Sequence, residues 1–291
     1  VRSTFAGGGG SSTGDRLAGG KILCINEVVE EARNTYRENY PDTPIVPNDI
    51  KELTGQDFLD LVGLEKGELD ILDGSPPCSA FSVAGKLSHS SDGKHSDGWG
   101  QTKSYSDGKV VENIEDLFFE FLRVANDIQP KVIVAENVKG LTIGEAKEYY
   151  NRILNEFENI GYEVVSEVMD SRYYGVSQTR TRVIFIAVRQ DVADEVGLNF
   201  LTMNHLFPEP ARTAIPLKEA LVGLEYDDEE VKYLTEKFER TAYWKDTGSL
   251  MPTFPDKVLT GGDYHPKGHH FNLKRVSLEA PAPTLTAMGN G

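Results

Sequence analysis

The chain has 291 residues and a mass of 32.2 kDa, and 39% of its residues are apolar and 26% are charged. This composition is typical of a soluble globular protein, and no apolar run approaches the roughly 18 residues that a membrane span requires, which excludes a membrane protein. The 46 acidic and 30 basic residues give a net charge of −16, which argues against a general polyanion binder but allows one locally basic face.

Short apolar runs predict the strands of a central sheet, at residues 21–26, 69–73, 131–135 and 182–188. Apolar residues recur at helical spacing from Leu117 to Ile128 and from Tyr149 to Ile160. Strands that alternate with helices of this length predict an α/β fold with a doubly wound, mostly parallel sheet. Ligands of such sheets bind beyond the carboxyl ends of the strands, so the loops there are the candidate site.

Two changes of composition divide the chain. Residues 83–112 are rich in Gly and Ser and predict a long functional loop. After Arg189 the alternation stops, so we predict one domain at 1–189 and a smaller, irregular one at 190–291. The chain starts with Val rather than Met and ends without a closing helix, so we expect a piece of a longer protein.

A glycine-rich turn is the first candidate ligand-binding element. Its sequence, Phe5-Ala6-Gly7-Gly8-Gly9-Gly10, fits the pattern F-x-G-x-G-G, and glycine lets a backbone approach a ligand closely. Glu27 follows the strand 21–26, where a carboxylate would meet ribose hydroxyls, and Asn48-Asp49-Ile50 follows the next segment, where a contact to an adenine edge is expected. A flexible linker and a solvated Glu are the plain alternatives for single elements, but their order and spacing favour a nucleoside cofactor.

The strongest chemical signal is Asp73-Gly74-Ser75-Pro76-Pro77-Cys78, directly after the strand 69–73. Two prolines stiffen the backbone and fix where the thiol points. Cys78 therefore lies in a polar turn at the carboxyl end of a strand, where a thiolate can form and attack. Cys24 lies inside a predicted strand, and we interpret it as an inert buried residue.

Two further motifs carry charge next to predicted strands. Glu136 follows four apolar strand residues, where a carboxylate is expensive to bury unless it is paired or used. Arg180 and Arg182 lead into the last strand and are two residues apart, so on extended backbone both point to one face. Paired guanidinium groups favour an anion or carbonyl oxygens, whereas a strand-capping Glu and a surface ion pair are the plain alternatives.

Together these motifs resemble the DNA (cytosine-5) methyltransferase family of prokaryotic or phage type. The matching elements are F-x-G-x-G-G, Pro-Pro-Cys, Glu-Asn-Val and Gln-x-Arg-x-Arg, in that order, over roughly residues 1–189, with a weaker echo at 280–287. The resemblance implies a Rossmann-like methyltransferase fold, with an S-adenosylmethionine-binding catalytic domain at 1–189 and an incomplete target-recognition region at 190–291. The family's late motif and final helix are absent, as in a fragment.

The resemblance also implies the chemistry. A methyl group passes from S-adenosyl-L-methionine to C5 of a cytosine flipped out of duplex DNA. The Cys78 thiolate adds to C6, Glu136 hydrogen-bonds or protonates the ring near N3, and Arg182, supported by Arg180, meets O2. The residues that the resemblance assigns to cofactor binding are Phe5, Gly7, Gly9, Gly10, Glu27, Asp49, Ile50, Pro77 and Leu117.

Two lysine-containing segments are candidate DNA contacts. The loop 83–112 is expected to close over DNA, and the stretch 257–275, with three histidines, lies where the resemblance puts target recognition. The spacing of these histidines is loose and no Cys accompanies them, so no metal is expected. Ser79 and Val28 depart from the family, which often has Gln after the nucleophile and an aromatic residue after the acidic one.

Double-stranded DNA is the expected partner, with a cognate restriction endonuclease as a further candidate, no membrane, and a monomeric chain. Two cysteines cannot build a disulfide framework, which indicates a reducing, cytoplasmic setting. An RNA cytosine-C5 methyltransferase on the same scaffold and a non-catalytic DNA- or cofactor-binding remnant stay as alternatives. A nicotinamide dehydrogenase fits the glycine turn but leaves Pro-Pro-Cys and Glu136 unexplained.

Overall fold

The computed structural model describes residues 1–77, 103–104, 110–111, 116–144, 146–199, 201–224 and 278–284. By their contacts the residues group into two units. The first unit comprises Val1–Met169 with Arg182–Pro208, and the second comprises Asp170–Thr181 with Glu209–Gly291. The first unit thus extends to Pro208, past the boundary predicted at residue 189.

The strands of the described residues, in chain order, are β1 (Arg2–Thr4), β2 (Cys24–Asn26), β3 (Ile45–Val46), β4 (Ile71–Gly74), β5 (Lys103–Ser104), β6 (Val110–Val111), β7 (Val132–Val138), β8 (Tyr162–Asp170), β9 (Gln178–Thr179), β10 (Thr181–Arg189) and β11 (Ala282–Pro283). The helices are α1 (Gly10–Leu17), α2 (Glu30–Asn39), α3 (Gly55–Val62), α4 (Leu117–Ile128), α5 (Ala146–Asn159), α6 (Gln190–Val196) and α7 (Leu217–Ala220). Across these ranges, no helix combines the length and the apolar character needed to cross a lipid bilayer.

Seven strands form one sheet in the order β3-β2-β1-β4-β7-β10-β8. From β3 to β7 each neighbouring pair is parallel, and β10 runs antiparallel to β7. The predicted α/β fold with a mostly parallel sheet is therefore confirmed. Because β10 is reversed, its first residues lie at the same edge of the sheet as the carboxyl ends of β4 and β7.

The four predicted strands correspond to β2, β4, β7 and β10, with shifted ends. One shift corrects the sequence analysis: β7 continues to Val138, so Glu136 lies inside a strand rather than after its end. The physical reason is the antiparallel ladder with β10, which pairs Val138 with Arg182 and so keeps the backbone extended. The predicted loop 83–112 also contains regular structure, because β5 and β6 pair as an antiparallel ribbon.

The main core lies where the apolar side of α4 packs against the sheet and α5. Phe118 is fully buried, and its ring contacts those of Phe121, Phe157 and Phe185 at centroid distances of 5.6 to 6.3 Å. Such edge-to-face aromatic contacts add to the area that these rings bury. Cys24 is also fully buried, as its position in a strand predicted.

In the second unit, the described residues form a small parallel pair of strands. Gln178 pairs with Ala282 and Thr179 with Pro283, so the predicted echo at 280–287 contributes β11. The main-chain N–H of Ala211 donates a hydrogen bond of 2.8 Å to the carbonyl of Tyr173. The described residues of this unit thus form short strands and turns.

A buried arginine at the start of β1 is the least expected feature of the core. The side chain of Arg2 is 1% exposed, and its guanidinium carbon lies 2.9 Å from the centroid of the Phe58 ring. None of its three nitrogens has an oxygen acceptor among the described residues, and its polar neighbour is the thiol of Cys24. Burial lowers the pKa of Arg2 to about 9, while the neighbouring Cys24 works in the opposite direction. The charge is therefore retained at neutral pH at a cost in stability.

Replacing Arg2 with Leu is expected to raise the free energy of unfolding by about 1–4 kcal/mol, because an uncompensated buried charge is removed. The pKa of Arg2 is lowered on folding, so the cost is fully present at neutral pH and declines only as the pH rises above about 9. Urea denaturation should show the same gain at about pH 6 and pH 8. Arg2→Lys, which keeps the charge, is the control and should give no gain; a less stable Arg2→Leu variant would contradict the prediction.

Candidate active site

A cavity of about 240 Å³ opens in the first unit near the glycine turn. Seven of the nine residues predicted to bind a cofactor line it, namely Phe5, Gly7, Glu27, Asp49, Ile50, Pro77 and Leu117. The other lining residues are Asn26, Val28, Val29, Ala32 and Ser75. Residues from the loops after β1, β2, β3 and β4 thus meet in one hollow, as expected for a parallel sheet.

The glycine turn reaches this cavity through unusual backbone conformations. Phe5 has a φ of 54°, which is rare for a residue with a side chain, and Gly7 has a φ of 55°. Gly9 and Gly10 do not line the cavity. A Cβ atom at Gly9 would come within 3.0 Å of the Tyr36 ring, so Gly9 instead lets α2 pack closely against the turn. Gly10 is exposed and begins α1.

Glu27 is the only carboxylate among the nine predicted residues that is buried, and two backbone groups hold it. One oxygen accepts a hydrogen bond of 2.8 Å from the N–H of Gly7, and the other accepts one of 2.8 Å from the N–H of Val29. Each oxygen of a carboxylate has a further lone pair. Glu27 can therefore accept hydrogen bonds from the hydroxyls of a ligand without giving up its contact to the glycine turn.

Asp49 and Ile50 enter the cavity from a short 3₁₀ turn, Ile50–Glu52, that follows β3. The Asp49 carboxylate caps this turn by accepting a 3.0 Å hydrogen bond from the N–H of Lys51. The buried side chain of Asn26 donates to the carbonyls of Val46 and Asn48, at 3.0 and 2.8 Å. The approach of the chain to Asp49 is therefore fixed by an amide that the sequence analysis did not single out.

Arg123 of α4 holds the other end of the same turn. One guanidinium nitrogen donates to the carbonyls of Ile50 and Leu53, at 3.0 and 2.7 Å, and the Nε forms an ion pair of 2.8 Å with Glu120. The planar guanidinium group is suited to such a fork of acceptors. Arg123 is thus a supporting residue of the cavity that sequence reasoning missed, because its partners are backbone atoms about 70 residues away.

The tips of β4 and β7 are joined just before Cys78. Gly74 of β4 pairs with Ala135 of β7, and the buried amide of Asn137 donates a hydrogen bond of 3.2 Å to the carbonyl of Pro76. The side-chain oxygen Oδ1 of Asn137 accepts a hydrogen bond of 2.8 Å from the N–H of Val138, so both the nitrogen and the oxygen of this side-chain amide have partners. The backbone that leads to the nucleophile candidate is therefore anchored to the strand that carries Glu136.

Glu136 and Arg182 form an ion pair of 2.6 Å on this edge of the sheet. In the antiparallel ladder Arg182 lies opposite Val138 and Glu136 lies opposite Ile184, so the two charged side chains are diagonal neighbours on one face. Their side chains are 29% and 21% exposed, so both are screened from water while each keeps an accessible part. The pair therefore presents a carboxylate and a guanidinium group that are both partly accessible.

Comparison with known proteins identifies the family. A family model described as C-5 cytosine-specific DNA methylase matches residues 1–260. The chain belongs to this family.

Several relatives of the chain are bacterial proteins. The chain is 31% identical to the type II methyltransferase M.Eco47II of Escherichia coli over 98% of its length, and 33% identical to M.FnuDI of Fusobacterium nucleatum over 76% of its length. The chain spans 63% and 54% of the lengths of these two relatives. A crystal structure of a prophage-encoded E. coli protein assigned as a DNA modification methyltransferase has the same fold, with a TM-score of 0.67, 19% identity, and coverage of 98% of this chain and 81% of that one.

Two of the predicted catalytic residues, Cys78 and Arg180, remain. Cys78 and Ser79 lie outside the described residues, as do the histidines and lysines of the stretch 257–275. Arg180 belongs to the second unit, where its carbonyl accepts a 3.0 Å hydrogen bond from the N–H of Ser171. Within the ranges that the structure describes, no three His, Cys, Asp or Glu side chains are grouped as metal ligands would be.

Proposed function

We propose that this chain is the catalytic and cofactor-binding part of an enzyme that transfers a methyl group from S-adenosyl-L-methionine to C5 of cytosine in duplex DNA. The observation that carries the proposal is the ion pair of Glu136 and Arg182, one strand away from the segment that leads to Cys78. Ser75 and Pro77 of that segment also line the cavity, so donor and acceptor would meet at one strand tip. Membership of the methylase family supports the same reaction.

The cavity residues fit an S-adenosylmethionine molecule by their chemistry. Val28 and Ile50 offer apolar contact for a flat ring, Asp49 lies where an amino edge would be read, and Glu27 can accept from ribose hydroxyls. The methionine end of the cofactor would contact the other lining residues that were predicted to bind it, namely Phe5, Gly7, Pro77 and Leu117. When bound, the cofactor supplies an electrophilic methyl group on a sulfonium centre. Val28 offers less stacking surface than an aromatic residue, so we expect modest cofactor affinity.

Catalysis at C5 requires that the cytosine ring first become a nucleophile. We propose that the Cys78 thiolate adds to C6, which converts C5 into an enamine-like carbon that would accept the methyl group. A base would then remove the C5 proton, so that the C6–S bond breaks, the thiolate leaves and the aromatic ring is restored. Glu136 would hydrogen-bond or protonate the ring at N3, and Arg182 would hold Glu136 and meet O2. Arg180 would support Arg182 or bind a phosphate. Because C5 is inaccessible in a stacked duplex, the nucleotide must leave the helix, and the loop 83–112 is the proposed lid.

The test is methyl incorporation from tritiated S-adenosylmethionine, with the full-length protein, into duplex DNA, single-stranded DNA and RNA. The expected result is label in duplex DNA only, found as 5-methylcytosine after digestion to nucleosides. Label in RNA alone would replace the proposal by an RNA methyltransferase. Cofactor and DNA binding without any label would make the chain a non-catalytic remnant, and a protein that neither binds nor labels would refute the proposal.

A restriction partner follows from the same proposal. Bisulfite sequencing of DNA from cells that express the full-length protein would give the methylated site, and a cognate endonuclease would be one that this methylation blocks. We propose a monomeric enzyme that acts in the cytoplasm, on duplex DNA and apart from membranes. Sedimentation of the full-length protein with and without a duplex containing that site tests the monomer.

A further inference from the structure

The buried carboxylate of Asp73, on β4, is hydrogen-bonded to side chains of two other elements, β1 and α1. Asp73 is 6% exposed, and a single one of its oxygens accepts hydrogen bonds from the hydroxyl of Ser3 at 2.8 Å and from that of Ser11 at 2.6 Å. The hydroxyl of Thr4 also donates to the main-chain carbonyl of Asp73, at 3.2 Å. The three side chains that meet at this carboxylate, those of Ser3, Ser11 and Asp73, belong to β1, α1 and β4.

The positions of these residues in the chain show which segments the carboxylate connects. Ser3 lies two residues before Phe5, and Ser11 directly follows Gly10, so the glycine turn is tied at both of its ends. Asp73 immediately precedes the segment 74–77, whose Ser75 and Pro77 also line the cavity. The hydrogen bonds of one carboxylate thus link the wall that would hold the cofactor to the backbone that leads to Cys78.

Burying the Asp73 carboxylate costs free energy, which argues that this side chain does more than fill space in the core. Burial raises the pKa of Asp73, and the hydrogen bonds from Ser11 and Ser3 only oppose that shift. Asp15 lies on the same face of α1 as Ser11, and burial together with the charge of Asp73 raises its pKa to about 6. An apolar residue at position 73 would avoid this cost, but only a charged acceptor gives short, directional bonds to two hydroxyls.

We infer that Asp73 is a positioning residue that, through Ser3 and Ser11, fixes the glycine turn relative to the Pro-Pro-Cys segment. The inference rests on the proposed methyl transfer. As a consequence, the glycine turn and the segment that leads to Cys78 keep a fixed distance from each other. This distance matters because misplacing reacting groups by about 1 Å costs on the order of 100-fold in rate.

The test compares Ser11→Ala with Ser11→Thr, which keeps a hydroxyl, and with Ser12→Ala. Ser12 is the adjacent, buried serine, and its hydroxyl has no hydrogen-bond partner among the described residues. For Ser11→Ala we expect the Kd for S-adenosylmethionine, from calorimetry without DNA, to rise about fivefold. We expect kcat to fall about tenfold while KM for duplex DNA stays unchanged. Ser11→Thr should restore both values to within about threefold, and Ser12→Ala should leave them within about twofold of the wild type.

A double-mutant cycle shows whether the hydroxyl acts through the carboxylate. If the Ser11 hydroxyl acts through Asp73, the Ser11→Ala substitution lowers kcat by a smaller factor in the Asp73→Asn variant than in the wild-type protein. Equal effects in both backgrounds, or a Ser11→Ala variant indistinguishable from the wild type, would overturn the inference. Should Asp73→Asn fail to fold, the Ser11 series still decides. A wild-type protein that binds no cofactor and transfers no methyl group would instead refute the proposed function.

Discussion

Glu136→Gln is expected to lower kcat for methyl transfer by about 10²- to 10⁴-fold, the range that general acid–base groups contribute. Gln keeps the shape of the side chain but cannot exchange a proton, and it removes the negative charge that pairs with Arg182 at 2.6 Å. Glu136 does not line the cavity, so the Kd for S-adenosylmethionine should stay within about twofold of the wild-type value. Single-turnover transfer to duplex DNA and calorimetry with the cofactor alone separate the two effects.

A matched control is Glu167→Gln, the same change at an exposed position of β8 in the same sheet. It should leave kcat unchanged, because Glu167 is exposed to solvent and neither lines the cavity nor belongs to the proposed catalytic residues. A Glu136→Gln variant with kcat within about threefold of the wild type would remove Glu136 from the mechanism. A variant that also loses cofactor binding would point to a disturbed fold rather than to lost proton transfer.

Cys78→Ser is expected to reduce methyl transfer below detection, a loss of at least about 10³-fold. A serine hydroxyl is a far weaker nucleophile than a thiolate at neutral pH unless a base activates it, so addition to C6 of the ring would stop. The direct measurement is a covalent complex with duplex DNA that contains 5-fluorocytosine, in which the fluorine blocks the release of the enzyme. We expect the wild-type protein to form this complex, stable to denaturing electrophoresis, and Cys78→Ser to form none.

The chain offers its own control, because Cys24 is the other of its two cysteines and is fully buried in β2. Cys24→Ala should retain the covalent complex and most of the activity, with a loss of stability typical of a small core change. If Cys78→Ser still forms the complex, another nucleophile must be responsible. If Cys24→Ala abolishes it while folding normally, the assignment of the two thiols would have to be reversed.

The parts of the site that the sequence predicts are those in which polar residues interrupt an apolar strand pattern. Glu136 and Arg182 stand out for this reason, and the structure pairs them. Glu27 was predictable because it follows a predicted strand of a parallel sheet, whereas Phe5 and Asp49 were predicted from the glycine-rich motif and the order of the elements after it. Sequence order could not show which glycines face a ligand, because Gly9 is needed for packing against Tyr36 instead.

Three elements that sequence reasoning missed, α1, α2 and β1, lack an apolar periodicity. In α2 only Tyr36 is buried, and α1 buries only Ser12, so neither helix shows the stripe that α4 and α5 display. The strand β1 has the sequence Arg2-Ser3-Thr4 and is fully buried, which a hydrophobic pattern does not predict. Its burial is decided by pairing with β2 and β4 on both sides, a tertiary effect that overrides local propensity.

The supporting residues were beyond prediction for a different reason. Arg123, Asn26 and Asn137 act on carbonyl groups of segments that lie 20 to 73 residues away in sequence. Every residue has a carbonyl group, so such a partner leaves no trace in side-chain composition. Asp73 carried a weak signal, as an acid at the end of an apolar run, but its two serines are in other elements.

The reversed strand β10 has a consequence for how the family can diversify. Its ladder with β7 fixes Arg182 through backbone register alone, so the preceding segment can lengthen or shorten without moving the guanidinium group. A one-residue insertion inside β10, between the arginine and the paired core residues, would instead turn Arg182 to the opposite face of the sheet. Sequence upstream of Arg180 is therefore free to change in length, while the interior of β10 tolerates substitution but not a change of length.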